Sequence, residues 1–441
     1  MTAVSELDLP AFDHTDAAMR GPRFHAEMAK VRDRAATGAR PGADARGWLA
    51  QVPYGYMTLD RESGEFFLRT RSAIFPGMKI AEIFGVSEGP LYEQMRRNIL
   101  HVNGADHTRL RSLVNPALSP RAVERYRPLM REFLERLLAE AIVTSRVADD
   151  AATSSVDGTG RLVRCEFVEA FAKPYPSLVI ASVMGAPLED APRLHHWSNV
   201  IQRQFDAIAM SSEVETIERA VEEFYEYAQE LVRARREDPA DDLISKLIAA
   251  ADPAHPPERL SDVECVNLVF NVLVGGVDTS QSQLAHAIRL LAEHPDQWEL
   301  LAEDPSLADA AVEEALRYEP ITPFTARILV EDVEFRDVTF PEGTIVMVCA
   351  FTGNRDLDAE AAGPGGADAF DITADRGRAR PLTFGAGVHY CLGANLARVE
   401  LQEGLAFLAE HMHELRLDGE PAFEGVSGIY GLAELPIAFT V

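Results

Sequence analysis

Phe384-Gly385-Ala386-Gly387-Val388-His389-Tyr390-Cys391-Leu392-Gly393 is the stretch on which the reading of this chain turns. Two glycines before one cysteine and a third after it clear space around a single thiol. The residues that follow, Ala394-Asn395-Leu396-Ala397-Arg398-Val399-Glu400, are good helix formers. Cys391 is therefore expected where a Gly-rich turn enters a helix. Unpaired N–H groups and the positive end of the helix dipole favour a thiolate there. Taken alone, a cysteine is most often a small buried hydrophobe. A thiolate in a turn open enough for a flat ligand is what a haem iron needs on its axial side.

The same stretch resembles the haem-binding loop of the cytochrome P-450 family, the haem-thiolate monooxygenases. That pattern is Phe-Gly-x-Gly-x-His-x-Cys-x-Gly, followed by a helix with Leu-Ala-Arg and a Glu. Phe384, Gly385, Gly387, His389, Cys391, Gly393, Leu396, Ala397, Arg398 and Glu400 fill every specified position. The resemblance covers roughly residue 80 to the end. It implies haem b (iron protoporphyrin IX) with Cys391 as the metal ligand. It also implies a fold in which haem lies between a long oxygen-binding helix and the Cys-ligand helix.

A second segment breaks local rules. Ser261-Asp262-Val263-Glu264 is a capping box and Pro295 marks a far end, with no proline between them. The periodicity predicts one helix over Ser261–His294, roughly 50 Å at 1.5 Å per residue. Its middle, Gly275-Gly276-Val277-Asp278-Thr279-Ser280, is its poorest helix former. Such a conflict marks a site or a small-residue patch that admits another helix. By resemblance it is the oxygen-binding segment. Gly275 and Gly276 would leave room over the haem, Thr279 would hydrogen-bond dioxygen, and Asp278 would relay protons from solvent.

Further motifs follow the family order. Glu314-Ala315-Leu316-Arg317 places opposite charges three apart on a helix. By resemblance this pair is buried and structural, with Arg376 as third member and Arg378 and Arg380 as alternatives. The loop before Arg376 is two residues longer than the family's. His107 and Arg111 lie four apart on one helix face. By resemblance they join Arg327 and His389 around the haem propionates, and Phe384 and Gly393 belong to the haem pocket. Asn354-Arg355-Asp356 matches a structural turn. Substrate contacts are expected from Phe75–Gly89, Ile201–Met210, Val272–Val277, Ile321–Thr325 and Ile429–Tyr430. Gly275, Ile321, Phe324 and Ile429 are the leading candidates.

Composition bounds the rest. A length of 441 residues allows two or three domains, but no Gly/Ser- or Pro-rich linker separates compact halves. The expectation is a mainly α (α+β) protein, one large helical domain over residues 1–441 with small β-sheets. Residues 1–20 would form a flexible segment. Helical periodicity marks Ala122–Val143, Val214–Arg236, Leu307–Tyr318 and Leu392–His413. Strand-like runs are Tyr56–Leu59 with Phe66–Arg69, Arg327–Leu329, Val338–Phe340, Thr344–Ala350 and Ile437–Val441. Pro341-Glu342-Gly343 reads as a turn. Asp358–Asp368 reads as a surface loop and Ala148–Gly160 as an exposed connection.

A net charge of −28 opposes binding to nucleic acid or anionic membranes. The four cysteines are scattered, which suits a reducing cytoplasm and not a zinc site or disulfide framework. Met1–Asp8 is acidic and lacks an apolar core, so no signal peptide or N-terminal anchor is expected. Leu268–Val277 is too short to span a membrane. The bacterial soluble type of the family is the one resembled. It implies a hydrophobic small-molecule substrate, O2, and electrons from NAD(P)H through a ferredoxin reductase and ferredoxin. The alternatives are a peroxide-driven relative, against which Asp278 and Thr279 argue, and a haem sensor or electron carrier, against which the Gly275-Gly276 opening argues.

Overall fold

The computed structural model describes residues 1–38, 47–150, 161–251, 259–377 and 380–441. Most of them lie in helices, and the largest core is built where helices cross, with Phe171, Tyr175, Phe224, Phe270, Trp298 and Phe407 among its most deeply buried side chains. The Cys-loop helix Ala394–His411 packs against Arg127–Asp150, Ala308–Tyr318 and Asp278–Glu293. The loop carrying Cys391 is thereby held by three other helices.

The long apolar helix is two helices, not one. Ser261 and Glu264 form the expected reciprocal cap, and Asp262–Gly276 follows. Val277 interrupts, and Asp278–Glu293 continues the rod. The carbonyls at the break are taken by side chains. Ser198 Oγ donates to Leu273 O at 3.4 Å, Gln202 Nε2 to Val274 O, and Thr279 Oγ1 to Gly275 O at 2.6 Å. Backbone groups freed by a kink must find such partners when buried. Asp262–Glu293 is the one stretch among the described residues long and apolar enough to cross a membrane, and 67% of its most apolar window is buried inside the protein.

Other expectations are corrected. Phe66–Arg69 is not a strand but the end of the helix Arg61–Arg69. Asp60 caps it by accepting from Ser63 N at 2.8 Å, and Ser63, Gly64, Phe67 and Leu68 form its buried face. The strand Gly55–Thr58 pairs instead with Leu49–Val52. Ala122–Val143 is not continuous. Short turns end at Tyr126, and the long helix starts at Arg127, because Pro128 is tolerated only in a first helical turn. That helix reaches Asp150; residues 151–160 of the expected connection lie outside the described residues, as does Arg378.

A five-stranded sheet flanks the helices, in the order Leu49–Val52, Gly55–Thr58, Ile345–Cys349, Phe324–Leu329, Ala73–Ile74. Pro341-Glu342-Gly343 is a turn, with Thr344 N donating to Pro341 O at 3.1 Å. It joins two sheets, since Val338–Phe340 pairs with Val333–Phe335 and with Thr2–Ala3. The N-terminal segment is thus placed, with Phe12 and His14 buried. Asp358–Asp368 lies at the surface and contains the short helix Ala359–Ala362.

Candidate active site

One large cavity, of about 460 Å³, runs between the kinked helix, the five-stranded sheet and the Cys loop. Cys391, Gly393 and Phe384 line it, and so do Gly275, Gly276 and Thr279. Ile321, Phe324 and Ile429 line it as well. Residues far apart in sequence thus share one chamber.

The glycines of the Cys loop divide by role. Gly385 and Gly387 have φ of 69° and 71°, in the left-handed region that penalises a side chain. A Cβ on Gly387 would also stand 2.4 Å from Leu68 O. Gly393 has no positive φ, and a Cβ there would meet nothing within 4 Å. The first two shape the turn, and the third leaves the space beside the thiol open. Cys391 N donates to Phe384 O at 2.9 Å, which closes the loop. Burial pushes the Cys391 thiol up, while the N–H of Gly393, the guanidinium groups of Arg111 and Arg398 and the N–H of Ala394 pull it back. Burial wins. The N–H groups at the helix start favour the thiolate, and a metal cation at the sulfur would supply the stabilisation that burial withdraws.

Gly275 and Gly276 also divide. A Cβ on Gly275 would meet nothing within 4 Å, so this residue widens the cavity. A Cβ on Gly276 would lie 2.5 Å from Ile180 Cδ1. That is close packing against the helix Pro174–Met184, the bland role for a small residue. Thr279 faces the chamber. Asp278 does not line it; it is buried behind, within 3.3 Å of Asn199 Nδ2. Burial raises the Asp278 carboxyl, and Asn199, His195 and Lys173 oppose that rise.

Basic groups gather along one edge. His107 and His389 rings stand 4.3 Å apart, and Arg111 Nη1 donates to Tyr390 O at 2.8 Å. Arg327 is 2% exposed and donates through Nη1 to Ala326 O at 2.8 Å. Burial alone lowers Arg327 to about 10. Burial, His107, Arg327 and Arg111 together press His389 down to about 3. Among the described residues no carboxylate pairs with Arg111 or Arg327. Burying guanidinium groups this way is unfavourable without an anion. Two carboxylates here would satisfy all four groups, and haem b carries two propionates. With a single thiol opposite open space and an apolar lining, the donor set fits haem b. Among the described residues no group of three His, Cys, Asp or Glu could hold another metal ion.

Glu314, Arg317 and Arg376 meet. Arg317 reaches Glu314 through Nε at 2.7 Å and Nη2 at 2.8 Å. Arg376 reaches it through Nη2 at 2.7 Å and Nε at 3.2 Å. Arg376 Nη1 also donates to Ala362 O at 2.7 Å and Arg317 Nη1 to Ala367 O at 2.7 Å. The cluster thus ties the surface loop to the helix Ala308–Tyr318. Arg380 O instead accepts from Arg61. Asn354 Oδ1 accepts from Leu382 N at 2.6 Å, joining its turn to the start of the Cys loop.

Several cavity residues carried no signal in the sequence. His14 and Tyr54 come from the N-terminal quarter of the chain, and Asn271 from the long helix just before the expected run Val272–Val277, whereas Gln204 falls inside the expected run Ile201–Met210. Glu400, noted only as part of a motif, is fully enclosed at the wall and accepts from Ser280 Oγ at 2.8 Å. Burial pushes its carboxyl up to about 8, against the Ser280 hydrogen bond. Tyr430, expected near substrate, turns away and accepts from Gly21 N at 3.1 Å.

A helical chain with a glycine-bounded thiol, a kinked helix over it and a basic edge defines the haem-thiolate class of protein. Residues 193–418 match the family model described as Cytochrome P450. The chain is 32% identical to the luteothin monooxygenase of Streptomyces thioluteus over 99% of its length and 98% of that protein's. It is 34% identical to the mycinamicin IV hydroxylase/epoxidase of Micromonospora griseorubida, over 74% of this chain and 75% of that one. The crystal structure of CalO2 superposes with a TM-score of 0.80 at 29% identity, covering 98% of this chain and 99% of that one. The chain belongs to the cytochrome P450 family, as a monooxygenase with haem b as its cofactor.

Proposed function

We propose that the protein inserts one oxygen atom of O2 into a hydrophobic small molecule, by hydroxylation or epoxidation. In this reading two electrons come from NAD(P)H through a ferredoxin reductase and a ferredoxin. The observation that carries it is the convergence of Cys391, Thr279 and Gly275 on one mainly apolar cavity. When bound, haem b supplies the redox iron at which dioxygen is reduced. Cys391 would ligate its iron, and His107, Arg111, Arg327 and His389 would hold its propionates.

Thr279 keeps a hydroxyl proton at the cavity wall, parked on Gly275 O. Asp278 adjoins it in sequence and sits among Asn199, His195 and Lys173 on the side away from the chamber. A buried carboxyl with a raised pKa can take a proton from that side and hold it near the Thr279 position. Ile321, Phe324 and Ile429 position the substrate and exclude water. Glu314, Arg317 and Arg376 hold the loop before Cys391 in place. Residues 1–441 work as one unit in this reading, because His14 and Ile429 line the same cavity. Its place is the cytoplasm, in keeping with the free cysteines.

The test is direct. The reduced carbonyl complex should show the red-shifted Soret band of a thiolate-ligated haem. Cys391→His should retain some haem and lose that band. Retention of the band in the variant would overturn the ligand assignment. With NADH and a surrogate ferredoxin system, wild type should consume dioxygen; turnover with peroxide alone would favour the peroxide-driven alternative.

A further inference from the structure

The apolar cavity carries a distinct polar wall. Gln202 and Gln204 lie at the end of the helix Ala191–Gln202 and the turn after it, and both line the chamber. They are 6% and 1% exposed. Asn271 lines it too, one turn before Gly275. Each side-chain amide has its NH2 committed. Gln202 Nε2 donates to Val274 O, Gln204 Nε2 to Ile201 O at 3.0 Å, and Asn271 Nδ2 to Asn267 O at 2.6 Å. A backbone carbonyl can be met only by the NH2 end, so chemistry decides which way each amide is turned. Among the described residues the carbonyl oxygens of Gln202 and Gln204 have no donor. A buried acceptor without a donor is unfavourable, and a ligand donor would relieve it.

The same wall lacks charge. The cationic and acidic residues that line the cavity are His107, Arg111, Arg327, His389, Glu400 and His14. The first four belong to the basic edge assigned to the propionates. Glu400 lies beyond Ser280 and is held protonated by burial. His14 is lowered by burial, which keeps it neutral, and its Nδ1 has no partner among the described residues. No cation therefore remains to receive a substrate carboxylate.

We infer that the substrate is an uncharged, bulky apolar molecule carrying at least one hydroxyl or N–H donor, and that Gln202 and Gln204 accept from it. This rests on the monooxygenase reading of the same cavity and names its substrate class. A site built to pair a donor discriminates against the analogue lacking it more strongly than an apolar wall does. A carboxylate would meet acceptor oxygens and no counter-charge.

The experiment uses the haem-loaded protein and three ligands on one skeleton: cyclododecane, cyclododecanol and cyclododecanecarboxylate. Affinity is read from the low-to-high-spin shift of the haem spectrum, and by equilibrium dialysis for any ligand that binds without a shift. Cyclododecanol should bind about tenfold tighter than either of the others, the factor of one hydrogen bond. In Gln202→Met or Gln204→Met the alcohol should fall to the level of the hydrocarbon, whose own affinity stays unchanged. The red-shifted Soret band of the reduced carbonyl complex checks that each variant keeps its haem site. Because Gln202 also supports the kink at Val274, Gln204→Met serves as the second variant, free of that role. Equal binding of alcohol and hydrocarbon in wild type would overturn the inference, as would a preference for the carboxylate. So would an alcohol preference that survives both substitutions. Absence of the Soret band in wild type would instead sink the haem-thiolate reading itself.

Discussion

Removing the Glu314 carboxylate should unfold or empty the protein, although Glu314 touches neither substrate nor cofactor. Its two oxygens accept from Arg317 Nε and Nη2, Arg376 Nε and Nη2, and the backbone N–H of Asp371 at 3.0 Å. The side chains of Glu314 and Arg317 are 3% and 4% exposed, and that of Arg376 12%. A solvent-exposed pair of this spacing would contribute about 0–1 kcal/mol. Breaking a buried pair from one side costs about 3–5 kcal/mol, because the partner charge stays buried and unmatched. Glu314→Ala leaves two guanidinium groups in that state, so the upper half of the range is expected. Against a whole-domain stability of about 5–15 kcal/mol this is a large fraction. Glu314→Gln keeps the volume but turns an NH2 toward donors, and should be nearly as damaging. Urea denaturation followed by circular dichroism, with haem content per chain, measures the loss. Glu314→Ala/Arg317→Ala should lose less than the sum of the two single variants, since they share one network. A Glu314→Ala protein within about 1 kcal/mol of wild type, with full haem, would refute this reasoning.

Three further outcomes are expected. Thr279→Ala should still bind substrate and consume NADH but release hydrogen peroxide in place of much of the product, and Asp278→Asn should slow turnover with a larger solvent isotope effect; product formed per NADH measures both, and full coupling in Thr279→Ala would remove that hydroxyl from the proton path. Glu400 binds its proton to about pH 8 when folded, against an ordinary value of 4.5, so between those values the unfolded chain holds fewer protons and this group makes stability fall as pH rises, by roughly 1 kcal/mol per pH unit. Glu400→Gln lacks that slope, so its stability relative to wild type should climb from about pH 5 to pH 8 and then level off; a pH-independent difference would contradict the buried, protonated state. Gly276→Ala must displace Ile180 and should lower stability by about 1–2 kcal/mol, while Gly275→Ala should leave melting unchanged or raised and weaken the spin shift; the reverse pattern would exchange the roles assigned to the two glycines.

The family and cofactor were legible in the sequence because their signals are contiguous. The Cys loop spends its glycines within ten residues, and two of them sit at φ values that penalise other residues. The Ser261–Glu264 cap and the Glu314–Arg317 pair are local for the same reason: helix geometry brings residues three apart into contact. Phe66–Arg69 misled because a short apolar run reads as strand or helix alike, and only the Asp60 cap and a buried face of period 3.6 separate them. The Asp278–Asn199 contact spans 79 residues and the Arg376–Glu314 bond 62, with no spacing rule to announce the first. Gly275 and Gly276 are the same residue type side by side, yet one borders the cavity and the other meets Ile180. A helix turns about 100° per residue, so neighbours face different surroundings, and which surroundings they are depends on what packs there. His14 reaches the cavity from a segment that bridges Gln51 at Ala11, and its ring packs on Phe324. Sequence by itself therefore determined the kind of protein and singled out the cysteine proposed to hold its cofactor, through rules that act over a few residues. The orientation of each cavity group, and with it the acceptor wall of Gln202 and Gln204, was decided by tertiary packing, where partners are chosen by proximity in space and leave no pattern along the chain.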